Sequence, residues 1–280
     1  MKTCDLHLHS YYSDGTCSPR EVLLKAKEEG LSAVALTDHN TIKGLNEFIS
    51  FGEELGIETV AGVEITCEFI GKEIHMLALF LTPENYPEIE NLLNNYVKKE
   101  EERNVMLASK LNGAGYEVDY SIMKEEYGDN INRVHFAKEL LKLGYVSSIQ
   151  NAFDTILKEG AGFYTVPKRL SALEVVSFIK KIGAVSVWAH PALSLSNSEI
   201  VKFLKQAVPQ GLNAMETDYT TYTAKQTEFL KNLAIKFNLL FSGGSDFHGA
   251  NKPATKIGVG YGNLNIPYTY LENLKKIKVV

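Results

Sequence analysis

The sequence predicts an α/β protein, a parallel sheet or barrel of seven strands interrupted by a long helical insertion. Three observations predict it. Short apolar runs alternate with capped, amphipathic helical stretches through residues 3–80 and again from 171 onward. The strands so identified begin near residues 3, 33, 58, 73, 184, 213 and 239. Six of the seven histidines fall at the exits or inward faces of those strands, where parallel α/β folds gather their ligands.

The first strand carries Cys4-Asp5-Leu6-His7-Leu8-His9. Strict alternation would put Asp5, His7 and His9 on one face and Cys4, Leu6 and Leu8 on the other. Ser13-Asp14-Gly15 then forms a turn able to swing the Asp14 carboxylate back toward the two imidazoles. Ser18-Pro19-Arg20-Glu21 supplies a capping serine, a proline at the first helical position and a glutamate at the third, so a helix is expected up to Gly30. A short apolar strand over 32–37 delivers Thr37-Asp38-His39-Asn40 at its carboxyl end. A helix over 42–55, closed by Gly56, leads to a strand over 58–64 that ends in Glu64. After a turn at Ile70-Gly71-Lys72, a strand over 73–80 presents His75 on the face of Glu73 and Leu77.

The alternation fails from 83 to 166, where the sequence is charged and helical, with helices expected over 90–111, 122–127, 135–143 and 148–158. That length far exceeds a connection between barrel elements. Residues 83–166 are therefore expected to form an inserted helical subdomain, a lid or substrate-binding unit, with 1–82 and 167–280 making the barrel. The alternation resumes at Ser171-Ala172-Leu173-Glu174, a second capping box, and a strand over 184–189 delivers His190-Pro191. Helices to about 208 and over 223–237 flank a strand over 213–217. The last strand, 239–242, opens into Gly243-Gly244-Ser245-Asp246-Phe247-His248-Gly249.

At 280 residues, 45% hydrophobic and 22% charged, the chain has the composition of a globular enzyme and not of a disordered segment. Its net charge of -5 argues against a general nucleic-acid coat, while leaving room for a small anion drawn to bound cations. No apolar run reaches the ~18 residues of a membrane span. The start runs straight into the first strand without a secretory leader, so a cytoplasmic location is expected. Cys4, Cys17 and Cys67 have no paired zinc spacing and read as buried, reduced thiols.

His7, His9, His39, His75, His190 and His248 join Asp14, Glu64 and Asp246 as candidate metal ligands. This set is too large for one ion and suits two or three, with imidazole and carboxylate favouring zinc, manganese or iron over calcium. Ions about 3.5–4 Å apart generate hydroxide near neutral pH, neutralise phosphate oxygens and align attacking and leaving groups. Such a site suits phosphate ester hydrolysis by a metal-activated hydroxide, without a protein nucleophile. Cys67, close to Glu64 in sequence, reads as packing.

In order, His-x-His, Ser-Asp-Gly, Thr-Asp-His, Gly-Val-Glu, the later strand histidine, Ala-His-Pro and Gly-Ser-Asp-Phe-His-Gly resemble the motifs of the polymerase and histidinol phosphatase (PHP) family of metal-dependent phosphoesterases. The resemblance covers about residues 3–80 and 165–250. It implies a distorted seven-stranded (β/α)7 barrel with a trinuclear site at the strand C-termini. Carried onto this sequence, it implies one ion on His7, His9, Glu64 and Asp246, a second on Glu64, His75 and His190, and a third on Asp14, His39 and His248. Asp246 and His190, around metal-bound water, are the expected catalytic groups. Asp5, Asp38 and Ser245 are implied as groups that orient the imidazoles.

Within the insertion, Asn132-Arg133-Val134-His135-Phe136-Ala137 resembles the Gly-Arg-Pro-His-Phe/Ile-Ala motif of the nucleotide-acting branch, departing from it at Asn132 and Val134. Arg133 and His135 are thus expected to contact substrate, an arginine fork being suited to phosphate, and Lys168 is expected to join them. The resemblance implies a small phosphorylated substrate, a 3′,5′-bisphosphonucleoside or a short oligoribonucleotide, with no membrane and no stable protein partner. A histidinol-phosphate phosphatase fits the insertion less well. Amide hydrolysis would ask for a bridging lysine at a strand end, where none lies. A non-catalytic metal-binding regulatory module would be expected to have lost ligands, and every ligand position is filled.

Overall fold

Eight strands alternate with helices in the computed structural model, which describes residues 2–128, 131–158, 160–164 and 169–278. They are β1 (Cys4–Leu8), β2 (Ala33–Leu36), β3 (Glu58–Phe69), β4 (Lys72–Leu79), the two-residue β5 (Leu170–Ser171), β6 (Val185–Ala189), β7 (Ala214–Tyr219) and β8 (Leu240–Gly244). Seven of them make one nearly closed, barrel-shaped sheet in the order β1-β2-β3-β4-β6-β7-β8, with β5 paired to β3 off that path. Closure comes from the segment after β8: the Asp246 N–H donates to the His7 carbonyl at 2.9 Å and the His9 N–H to the Phe247 carbonyl at 3.0 Å.

One strand departs from the parallel pattern. β3 runs past Glu64 to Phe69 and turns at Ile70-Gly71, so β4 is antiparallel both to β3 and to β6. His75 lies in the first half of β4, opposite Thr66 of β3 and Ala189 of β6. Because β4 is reversed, its early residues lie at the end where β6 delivers His190.

The first compact unit comprises Met1–Glu90 and Arg169–Val280. Its helices include α1 (Pro19–Glu28) and α2 (Leu45–Leu55). α1 has the capping box that its sequence announces: Ser18 Oγ accepts the Glu21 N–H while Glu21 accepts the Ser18 N–H. Alternate strand residues, among them Cys4, Leu6, Ala33, Ala35, Leu77, Leu79, Val185 and Val187, form the barrel core. Leu271 and Leu274 of the C-terminal helix Tyr268–Lys278, an element the sequence reading did not identify, join that cluster.

The second unit, Asn91–Lys168, takes in most of α3 (Tyr86–Gly113) and the whole of α4 (Tyr120–Tyr127), α5 (Arg133–Lys142) and α6 (Ile149–Asp154). It has its own core, in which Leu111, Met123, Phe136, Leu140 and Leu157 are almost fully buried. Further along the first unit, α7 is Ala172–Lys181. The helix expected after His190-Pro191 is broken into α8 (Pro191–Ser194) and α9 (Asn197–Gln210), where Ser196 starts a new capping box. α10 (Ala224–Lys236) follows β7. No helix among the described residues is long and apolar enough to cross a membrane.

Candidate metal centre

The first strand holds a register slip that decides which side chains reach the site. Asp5 stands opposite Val34 and Leu8 opposite Leu36, so β1 spends one residue more than β2 over this interval. Val34 and Leu36 share a face of β2, and Asp5 and Leu8 therefore share a face of β1. His7 and His9 point to the other face, into the barrel. Strict alternation put Asp5 with the two histidines, and the bulge corrects that. Asp5 instead accepts the backbone N–H groups of His7, Ser245 and Gly258, at 3.3, 2.9 and 2.8 Å.

Glu64 is the hub. Its Oε2 lies 3.1 Å from His7 Nε2, 3.2 Å from His9 Nε2 and 3.1 Å from His39 Nδ1. Its Oε1 lies 2.9 Å from His75 Nδ1 and 3.0 Å from His190 Nε2. Local structure puts it there: the Glu64 N–H donates to the Asp38 carbonyl and the Asn40 N–H to the Glu64 carbonyl, which ties the exit of β2 to the middle of β3.

Asp246 Oδ1 faces the same point, 3.6 Å from His7 Nε2, 3.2 Å from His9 Nε2 and 3.4 Å from His248 Nδ1. Asp14 Oδ1 lies 3.2 Å from His248 Nε2 and 3.8 Å from His9 Nδ1, and its Oδ2 4.0 Å from His39 Nε2. The Asp14 turn is held by Asp38, whose carboxylate accepts the Ser10 N–H, the Ser10 hydroxyl and the Ser13 hydroxyl at 2.6–2.7 Å. Asp38 thus positions a ligand-bearing turn and orients no imidazole by hydrogen bonding. His190 and Asp246 both have positive φ, 30° and 55°, a strained backbone of the kind that re-aims side chains at functional sites.

Three sets of side chains could each hold an ion, every set having its donor atoms within 4.8 Å of one another: His7, His9, Glu64 and Asp246; His9, Asp14, His39 and His248; and His39, Glu64 and His75. In the first set the Nε2 of His7, the Nε2 of His9 and Oε2 of Glu64 are buried and accept or donate no hydrogen bond. Their contacts are the edges of a polyhedron. Ligand atoms ~2.1 Å from a shared ion in a tetrahedron are about 3.4 Å apart, and the spacings of 3.1–3.6 Å match this. The residues present therefore fit a divalent ion.

Electrostatics agree with that donor set. Burial works against charging His7, yet Glu64, Glu216 and Asp246 hold its pKa well above the ordinary histidine value. His9 is likewise pushed up to about 9 against burial by Asp246 and Glu64, and His75 to about 10 by Glu64 and Glu73. His39, where burial wins, is lowered to about 3. Asp14 and Asp246 stay well below the usual carboxylate range although burial opposes it, His248 and His39 acting on the former and Lys252 and His248 on the latter. The carboxylates thus favour positive charge on His7, His9 and His75, while burial opposes it on His39.

Three groups at the site were not singled out from sequence. Glu216 on β7, fully buried, accepts from His7 Nδ1 at 2.9 Å and from the His190 N–H at 2.7 Å. Tyr219 donates its hydroxyl to Asp246 Oδ2 at 2.6 Å, and Lys252 its ammonium to the same oxygen at 2.6 Å. The one signal for Glu216 was its place in a strand that sits beside the His190 strand. In the first unit, too, Glu73 lies 3.3 Å from His75 Nε2 and pairs with the buried Arg169 at 2.5 Å.

The expected substrate contacts belong to the second unit. Asn132 caps α5, its side chain accepting the Val134 N–H, and His135 Nδ1 accepts the Asn132 N–H at 3.1 Å. The His135 ring stacks on Tyr127 at 4.8 Å. The Arg133 guanidinium lies over the Tyr164 ring at 4.4 Å and the Phe153 ring at 5.8 Å. Lys168 lies outside the described residues. Cys4, Cys17 and Cys67 are buried free thiols.

Residues 5–181 match the model of the PHP domain. The chain belongs to the PHP family. It is 32% identical over 88% of its length, and 90% of the relative's, to a 5′-3′ exoribonuclease of Haemophilus influenzae. It is 28% identical to a phosphoribosyl 1,2-cyclic phosphate 1,2-diphosphodiesterase of Eggerthella lenta, over 88% and 94% of the two chains. With a 3′,5′-nucleoside bisphosphate phosphatase of Chromobacterium violaceum it shares 26% identity over 92% and 91%. A crystal structure from Bifidobacterium adolescentis, described as a metal-dependent phosphoesterase, superposes with a TM-score of 0.85 at 26% identity, over 99% and 96% of the two chains. This PHP protein is accordingly a metal-dependent hydrolase acting on phosphate ester bonds.

Proposed function

We propose that the protein hydrolyses phosphate esters of nucleotides, 3′,5′-bisphosphonucleosides or short oligoribonucleotides, at two or three manganese, zinc or iron ions. The convergence of His7, His9, His39, His75 and His190 on the two oxygens of Glu64 carries the reading. In it, His7, His9, Glu64 and Asp246 hold one ion, Glu64 with His75 and His190 a second, and Asp14, His39 and His248 a third, with His9 beside that third set and His39 also within reach of Glu64 and His75. Bound there, the ions supply an activated water and neutralise the phosphate oxygens.

The protein's own residues do the rest. Glu216 fixes the ring of His7 by taking its Nδ1–H, and through its second oxygen fixes the backbone of His190. Tyr219 holds Asp246 Oδ2, which leaves Oδ1 aimed at the histidines. Arg133 and His135 of the insertion are assigned to the nucleotide, as a phosphate fork and its neighbour. Two of the relatives, an exoribonuclease and a nucleoside bisphosphate phosphatase, have names that support a nucleotide substrate.

The test is phosphate release from a panel of 3′,5′-bisphosphoadenosine, mononucleotides, a short 5′-phosphorylated RNA, a cyclic phosphoribose and histidinol phosphate, with manganese and again after chelation. Chelator-sensitive turnover fastest on bisphosphoadenosine or RNA is expected. Preference for histidinol phosphate or the cyclic sugar phosphate would overturn the nucleotide assignment.

A further inference from the structure

Lys252 stands at the metal centre without a part in holding it. Its side chain is 40% exposed, so it reaches Asp246 from the open side. The segment that carries it is seated on the Asp14 turn by two hydrogen bonds and a close backbone approach. The Ala250 N–H donates to Thr16 Oγ1 at 2.8 Å and Asn251 Nδ2 to the Asp14 carbonyl at 2.5 Å. Gly249 has a φ of 63°, and a Cβ there would lie 2.1 Å from Thr16 Oγ1, so the close seat requires glycine. The ammonium is thereby delivered by a fixed loop and ends 2.6 Å from Asp246 Oδ2, on the oxygen turned away from the histidines.

The charges around it decide what it can do. Its ammonium lies 2.6 Å from the Asp246 carboxylate, in a cluster that also contains Asp14 and Glu64. Those three carboxylates are also the anionic members of the candidate ion sets. Once divalent ions are held by them, their negative charge is compensated, and an ammonium at this position faces a cationic centre. That arrangement is favourable only when an anion lies between ammonium and ions. Its remaining donors suit a phosphate oxygen, an ammonium having three.

We propose that Lys252 is a substrate-binding residue, whose ammonium takes an oxygen of the phosphate group held at the ions. The proposal deepens the phosphoesterase reading and rests on it. It assigns to the barrel itself a cation for the reacting phosphate, distinct in role from Arg133, which is assigned to the nucleotide. Leu or Met at position 252 would keep the loop and lose the charge, whereas Arg would keep both.

The experiment uses the full-length, manganese-loaded protein and inorganic phosphate as the probe. Metal content is measured by elemental analysis and phosphate affinity by calorimetry, for the wild type, Lys252→Met and Lys252→Arg. The expected result is wild-type metal content in both variants, phosphate binding weakened about 10- to 100-fold in Lys252→Met, as for loss of a charge-assisted contact, and binding within a few fold of wild type in Lys252→Arg. Lys252→Gln serves in place of Lys252→Met if circular dichroism shows that the latter is misfolded. Unchanged phosphate affinity with metal retained would overturn the proposal, and so would loss of metal, since Lys252 would then be a positioning residue for Asp246. If wild-type protein binds phosphate equally well after chelation, the metal-centred reading fails, and the proposal fails with it.

Discussion

His7 stands between two carboxylates: Nδ1 donates to Glu216 at 2.9 Å, while Nε2 lies 3.1 Å from Glu64. A carboxylate behind a ligating imidazole fixes its tautomer and its aim, and such partners are worth about 10- to 100-fold in metal affinity. Glu216→Ala should therefore weaken binding of the tightest manganese by about that factor, together with the His190 backbone position that Glu216 also holds. Competition with a fluorescent chelator measures it. Unaltered affinity would remove Glu216 from the working site.

Gly244 packs directly beneath the same imidazole. A Cβ at this position would lie 2.2 Å from His7 Cβ and 2.8 Å from the His7 backbone nitrogen. The clash is with backbone and a buried Cβ, so nothing flexible can yield. Gly244→Ala should cost on the order of 1–3 kcal/mol of stability, as overpacking does, and displace His7 enough to lower metal content. A thermal melt combined with elemental analysis tests both effects at once.

The raised imidazoles give a pH signature in two opposite directions. His9 and His75, with values lifted to about 9 and about 10, bind protons more tightly folded than unfolded. In the metal-free protein that stabilisation is complete below an ordinary histidine value of ~6.5 and is lost as pH rises through about 9–10. Metal must displace the same protons, so binding releases them and weakens in acid. The melting temperature of metal-free protein should fall between pH 7 and pH 10. Over pH 5–8, by contrast, manganese affinity should rise. A metal affinity indifferent to pH in that range would contradict the imidazole ligands.

How far the site was legible in sequence depends on which residues are considered. His9, His39, His190 and His248 follow from strand exits alone, because a parallel α/β pattern gathers polar residues there. The reversal of β4 is missed when β3 is read as ending at Glu64; the strand runs on to Phe69, and the short turn at Ile70-Gly71 then makes a hairpin, since a parallel neighbour would need a crossover of about a dozen residues or more. Asp5 was misassigned for a related reason: a bulge adds one residue without changing composition, and period-two reasoning cannot detect it. Glu216, in a strand that also carries Thr217 and Asp218, has no motif of its own. Only the pairing of β6 with β7 brings it behind His7.

In the insertion, the Arg133 guanidinium lies over the Tyr164 ring, 4.4 Å from its centroid, a cation–π contact. Arg133→Ala should keep metal content while lowering kcat/KM on 3′,5′-bisphosphoadenosine by about 10- to 100-fold, the loss of a charge-assisted contact. If the arginine reads a second phosphate, p-nitrophenyl phosphate should be hydrolysed almost as before. Equal losses on both substrates would assign Arg133 to the reacting phosphate instead.

Everything converges on Glu64, whose two oxygens serve five histidines, and the most direct test couples metal content to turnover in one preparation. Wild-type protein, chelator-stripped protein, Glu64→Gln and the packing control Cys67→Ala would be compared for bound manganese and for phosphate released from 3′,5′-bisphosphoadenosine. The account predicts two or three ions in the wild type, activity lost on stripping and restored by manganese, both metal and activity largely absent in Glu64→Gln, and both largely retained in Cys67→Ala. Full turnover by stripped protein, or by Glu64→Gln without metal, would contradict it.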